Sequence, residues 1–315
     1  KSVLERGVAA PVLPGLYPAE AQRRLGELAV REMGFDFSRG RLDTAVHPFC
    51  CGMGRGDVRI TARYHEDLPL SSLYSCLHEA GHGLYEQGVA PELDGTPLGV
   101  GATSAVHESQ SRLWENVVGR SRGFWKRWTP RYHEAFPQTR TLSPEDFYRA
   151  VNRVSASFIR VEADELTYSL HVILRFELER DLLAGRLRVA DLPEAWNAKM
   201  KASLGIVPPN DAQGVLQDVH WAEGLIGYFP TYTIGNAISL QLWEAAVAAR
   251  PGIEAEIENG GAPSLLSWLV ENVHRRGRTG TAAEIVKAAT GRPLDPAPYL
   301  RYMKRKYGEL AGLPV

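Results

Sequence analysis

The 315-residue sequence is 44% hydrophobic and 23% charged, enough apolar side chain to build a sizeable core, which excludes the disordered class. Lys and Arg number 36 against 37 Asp and Glu, so the formal net charge of -1 sets up no long-range field toward nucleic acid or anionic lipid. Cys50, Cys51 and Cys76 cannot form a disulfide framework, and a bridge between the adjacent pair would be strained, so a reducing, cytoplasmic setting is expected. The opening segment is interrupted by Pro11 and Pro14, and no later run approaches 18 uncharged apolar residues, so neither a secretory segment nor a membrane span is expected.

Along the chain, Val58, Ile60 and Ala62 alternate with polar residues after the Gly-rich turn CGMGRGD, which predicts a strand. The next segment, LPLSSLYSCLHEAGHGLYEQG, predicts a helix with Leu73, Leu77, Ala80 and Leu84 on one stripe and Gly88 at its end. Residues 91–101 read as a long loop, and Ser104 starts a helix that runs to Gly119. Ser143 and Pro144 read as cap and first turn of another helix. Leu166, Leu170, Ile173, Leu174, Leu178 and Leu182 predict a further helix stopped at Gly185, and residues 205–214 read as a second long loop. The expected fold is mainly α, a single domain over 1–315, with a small β element beside the helix that holds HEAGH.

His78 and His82 are four residues apart, so both imidazoles share one helix face and can direct nitrogens at a single tetrahedral ion. Glu79 projects beside them, where a carboxylate can take a proton from an attacking water. An ordinary amphipathic helix with two surface histidines is the alternative. A catalytic metal needs a third protein ligand and an open position. Glu86 is one turn beyond His82, and three ligands spread along one straight helix cannot converge on a point. Glu108 lies on a separate helix that can return beside the first, and is chosen as third ligand; Glu115, seven residues on, suits holding a ligand histidine from behind. By spacing alone, Glu108 also reads as a solvated helix-face carboxylate.

HEAGH and GATSAVHESQSRLWEN, preceded by DTAVHPF and DVRIT and followed by IRVEADELTY and GVLQDVHWAEGLIGYFPTYTIGN, together span Asp43 to Asn236. This set resembles the thermostable metallocarboxypeptidase family typified by carboxypeptidase Taq. The resemblance implies a helical, zincin-like fold with a deep groove. It also implies a divalent metal, Zn2+ with Co2+ or Mn2+ as substitutes, and removal of single residues from peptides with a free C-terminus at broad specificity. Position by position, it makes His78, His82 and Glu108 the metal ligands and Glu79 the catalytic carboxylate. His47, Phe49, Asp57, Arg59 and Thr61 match patterns at the closed end of the family's groove, where they limit substrate length.

Arg160 is the family-matched anchor for the substrate carboxylate, a task that suits a guanidinium because its fork of donors matches two oxygens. A structural Arg160–Asp164 pair on a helix is the alternative. Glu162, Asp164 and Glu165 read either as a cluster orienting ligand histidines or Arg160, or as a solvated face. His220, Tyr228 and Tyr232 are spaced as in related helical zinc peptidases that hold the oxyanion with a His and a Tyr, and Tyr232, twelve residues beyond His220, is preferred over Tyr228. Gln217 and Asp218 are expected to position His220, and Phe229 and Trp221 to lie in the core. Full-length family members carry a long helical N-terminal region that helps form a homodimer. Only about 40 residues precede HPF here, so groove closure, substrate length limits and dimerisation are where this chain is expected to depart. A zinc endopeptidase of the same class is the first rival reading. A non-catalytic, metal-containing peptide-binding protein is the second, and Glu79 argues against it, because a closed structural site has no use for an unligated carboxylate.

Overall fold

Apolar residues spaced at three and four make most of this chain helical; the computed structural model describes residues 2–314, with one three-stranded sheet among them. The chain forms two compact units, one from residues 10–151 and 235–302, the other from residues 152–234 with short segments from both ends. Among the described residues no helix is long and apolar enough to cross a membrane.

In the first unit the expected strand forms as β3 (Val58–Ala62), with Val58, Ile60 and Ala62 fully buried and Arg59 exposed. Two strands went unread in the sequence. β1 (Gly40–Thr44) pairs with β3 in parallel, Gly40 opposite Val58, and β2 (Cys50–Gly52) pairs on the other side antiparallel, Cys50 opposite Ile60. GRLDT carries no β-branched alternation and CCG is only three residues long, so their extended shape comes from pairing with β3 and not from local preference.

The helix Ser71–Gly88 packs against β3, the helix Ala19–Met33 and the helix Ser104–Arg112. Leu73, Leu77, Ala80 and Leu84 are all buried, as the stripe predicts, and each leucine contributes about 1.5–3 kcal/mol. The approach to Ser104–Arg112 depends on Gly81. A Cβ built there would lie 2.7 Å from both Gln110 O and Ser111 Cα, so the two backbones meet with no side chain between them. Gly81→Ala is expected to force the helices apart at a cost of about 1–3 kcal/mol, lowering the melting temperature and weakening metal uptake together. A variant with wild-type melting and wild-type metal affinity would show that the helices have room to spare.

The second of these helices starts at Ser104 as expected, and Thr103 is its cap, with Oγ1 accepting from Val106 N. It does not stay α-helical to Gly119 but widens at Leu113 into a π-helical turn, Leu113–Val118, that carries Glu115. Ser143 caps its helix as expected, its Oγ accepting from Asp146 N while the Asp146 carboxylate accepts from Ser143 N.

In the second unit the helix Tyr168–Leu183 packs on Leu192–Leu204 through Leu174, Leu178, Trp196, Met200 and Leu204. The apolar period starting at Leu166 overruns the helix, because the Asp164 carboxylate accepts from Thr167 N and turns the chain there. Gly185, with φ +68°, ends it as expected. From Gly205 to Phe229 the chain has no regular helix or strand, a longer loop than its Pro and Gly content marks.

Candidate functional site

The helix Ser71–Gly88 turns His78 and His82 toward Glu108 on its neighbour. The two Nε2 atoms lie 3.7 and 3.5 Å from Glu108 Oε2, and one ligand atom from each residue falls within 4.8 Å of the others. Ligands at zinc-like distances of about 2.0–2.1 Å from a tetrahedral ion stand about 3.4 Å apart, so this group could hold a divalent metal. Arg112 Nε donates to Glu108 Oε1 at 2.7 Å, which leaves Oε2 facing the imidazoles. His78 Nδ1 donates to Glu115 Oε2 at 2.8 Å, and Arg112 and Arg120 clamp the same carboxylate at 3.2 and 3.3 Å. A carboxylate can only accept, so Nδ1 carries a hydrogen, and Nε2 is the nitrogen that an ion would take in place of a proton.

The electrostatics favour a cation here. Burial opposes charging of His78, but Glu108 and Glu115 outweigh it and push the ring up to about 9. Burial likewise opposes the Glu108 charge, yet Arg112 and the two histidines hold it far below the usual carboxylate range. His82 is pulled down to about 4, chiefly by burial, and is neutral at pH 7. Glu79 is 7% exposed. Burial pushes it up to about 7, with His78 opposing and Glu108 and Glu115 adding to the shift. A carboxyl poised near neutrality can both take and return a proton.

A second cluster forms in the unit built around residues 152–234. Arg160, 5% exposed, donates through Nε and Nη2 to Asp218 Oδ1 at 3.1 and 2.8 Å and through Nη1 to Tyr168 Oη at 2.8 Å. The helical Arg160–Asp164 pair does not form, because Arg160 lies in a single 3-10 turn, Arg160–Glu162. Asp164 accepts instead from Ser155 N and from Thr167. Asp218 Oδ2 also accepts from Arg175 Nε at 2.6 Å, so one carboxylate serves two guanidiniums. Gln217 Oε1 accepts from Arg160 N at 2.8 Å and its amide donates to Phe158 O. Both residues therefore hold Arg160; Asp218 reaches His220 Nδ1 only at 3.9 Å. His220 stacks on the buried Phe229 with ring centroids 4.3 Å apart and meets Tyr232 Oη through Nε2 at 3.0 Å. Tyr228 lies against the same imidazole at 5.5 Å. Burial, then Arg160, lowers the His220 pKa, which keeps the ring neutral.

The model of the carboxypeptidase Taq (M32) metallopeptidases matches residues 1–307. The chain belongs to that family. It is 47% identical over 296 residues to thermostable carboxypeptidase 1 of Thermus thermophilus, covering 94% of this chain and 58% of that protein. It is 43% identical over 295 residues to carboxypeptidase 1 of Bacillus subtilis, covering 93% and 59%. The crystal structure of the M32 carboxypeptidase of Deinococcus radiodurans superposes with a TM-score of 0.96 at 51% identity over 99% of this chain and 63% of that one. The chain thus spans about three fifths of the length of these M32 relatives.

Other residues singled out in the sequence lie around the sheet. Arg59 is exposed on β3 and paired through two hydrogen bonds with Asp57, and Phe49 N donates to Thr61 Oγ1 at 2.9 Å. His47 and Phe49 are exposed, in and just after the turn between β1 and β2's start. In the acidic stretch of IRVEADEL, Glu162 is exposed, whereas Glu165 is buried and takes hydrogen bonds from Lys306 Nζ and Tyr307 Oη, so it is a packing anchor. Several residues of these two clusters escaped sequence reasoning. Arg112, Arg120 and Arg175 are unmarked by any motif spacing, and Glu179, which accepts from Trp221 Nε1 and Gly227 N, reads in sequence as one more helix charge. His107 carried a signal, since it adjoins Glu108 in HES, but no role followed from it.

Proposed function

We propose that this chain is a metallocarboxypeptidase that hydrolyses the last peptide bond of peptides with a free C-terminus, releasing single amino acids with broad specificity. The observation that carries this reading is the convergence of two imidazole nitrogens and one carboxylate oxygen beside the buried Glu79. His78, His82 and Glu108 are the ligands, and two nitrogens with one oxygen suit Zn2+, with Co2+ or Mn2+ as substitutes. When bound, such an ion polarises the scissile carbonyl and acidifies water. Glu79 takes the proton of the attacking water and returns it to the leaving amine, without a covalent intermediate. Tyr232 and His220, with Tyr228 as the alternative donor, hydrogen-bond the developing oxyanion. Arg160 pairs with the substrate's terminal carboxylate, and Gln217 and Asp218 keep its guanidinium in place. His47 and Arg59 limit substrate length. Three unpaired cysteines, two half-buried and one buried, suit a reducing, cytoplasmic compartment.

The test is amino-acid release from one peptide with a free and with an amidated C-terminus, with and without chelator. Release from the free acid, its loss with chelator and its return with zinc are expected, with little turnover of the amide. Equal cleavage inside an end-blocked peptide would make the protein an endopeptidase, and binding without cleavage would make it a non-catalytic peptide binder.

A further inference from the structure

The two histidines are held from behind by different devices. Behind His78 stands a charged carboxylate, Glu115; behind His82 stands another imidazole, with Nδ1 of His82 and Nδ1 of His107 2.7 Å apart. The other nitrogen of His107, Nε2, lies 2.7 Å from Glu86 Oε1, which also accepts from Gly101 N at 3.0 Å. We propose that His107 is a positioning residue, through which Glu86 and the Gly101 amide orient the His82 ring and keep its Nε2 lone pair directed at the candidate metal.

The hydrogens in this chain of contacts can be counted. A bond between two Nδ1 atoms needs one hydrogen, on one side or the other. Glu86 Oε1 already receives the Gly101 N–H, so it acts as an ionised acceptor, and His107 must present Nε2–H to it. A neutral imidazole has one N–H, so His107 Nδ1 is the acceptor and the shared hydrogen belongs to His82 Nδ1. The tautomer of His82 then leaves Nε2 bare, the same outcome that Glu115 produces at His78 by a charged route.

The surroundings hold the relay tightly. Tyr85 packs on the His107 ring at 5.1 Å and its Oη accepts from Ala102 N, which fixes the backbone next to Gly101. Gly101 has no side chain for a steric reason: a Cβ there would lie 2.6 Å from His107 Cδ2 and 3.0 Å from Glu86 Oε1. Glu86, four residues beyond His82, is thereby kept out of the ligand set and acts on it through one intervening residue, while His107 ties the helix of His82 to the helix of Glu108.

This inference rests on His82 being a ligand, and its test reads metal binding and tautomer, not hydrolysis. In metal-free protein labelled with 15N-histidine, long-range NMR correlations are expected to place hydrogens on His82 Nδ1 and His107 Nε2. Zinc affinity, measured by competition with a chromophoric chelator, is expected to fall about 10- to 100-fold in His107→Phe. His107→Asn, whose Oδ1 stands near the Nδ1 position and can accept from His82, should regain most of it. His107→Gln, which reaches toward Glu86 instead, should resemble the phenylalanine variant. Gly101→Ala should reproduce the loss with every polar group retained. A hydrogen on His82 Nε2 in the wild type, or equal zinc affinity across the series, would overturn the proposal. A wild-type protein that binds zinc with this tautomer and hydrolyses nothing would sink the carboxypeptidase reading and leave the relay standing.

Discussion

Glu79→Gln is expected to lower hydrolysis at least about 100-fold while leaving metal content and melting temperature close to wild type. Glutamine is nearly isosteric and cannot accept a proton from water. The substitution also removes a buried charge next to Glu108 and Glu115, so it relieves repulsion among carboxylates and does not threaten the fold. Glu79 lies on the same buried helix as His78 and His82, so the variant leaves the ligand geometry untouched. Turnover by single-turnover kinetics and metal content by elemental analysis decide the matter together. Retention of more than a tenth of wild-type turnover would remove Glu79 from the role of base, and loss of metal would recast it as part of the ion's support.

Arg160→Ala is expected to lower kcat/KM on free-acid peptides about 30- to several-thousand-fold, which corresponds to about 2–5 kcal/mol for a lost desolvated charge pair. Amidated peptides should lose little. The structure makes this variant interpretable, because Asp218 binds two guanidiniums and keeps Arg175 when Arg160 is gone. Two cations on one anion leave a positive charge in excess in this buried cluster, which the carboxylate of the proposed substrate would balance; the alanine variant is balanced without one. Arg160→Lys should recover only part of the activity, since an ammonium keeps the charge and loses the fork. Equal losses on both substrate types, with a lowered melting temperature, would mean that Arg160 only holds the loop of Gln217 and Asp218 in place.

What could be read from residue order was whatever one helix or one strand decides by itself. The four-residue spacing of His78 and His82 puts them on one face whatever the helix packs against. The leucine stripe from Leu73 to Leu84, the alternation in Val58–Ala62, the cap at Ser143 and the stop at Gly185 are equally local, and all appear in the structure. Glu108 was legible to a lesser degree, since choosing it required an assumed antiparallel return of the next helix. What residue order could not decide was everything set by two distant segments meeting. β1 and β2 exist because β3 offers them hydrogen bonds. Gly81 matters because another backbone arrives at 2.7 Å from where its Cβ would be. Arg160 finds Asp218, 58 residues away, and not Asp164 one turn on, because no helix forms at 160–164 to bring the near partner round. The imidazole pair of His82 and His107 belongs to the same class. Spacing on a helix is a property of the chain, whereas a hydrogen bond between helices exists only after the leucines behind them have packed.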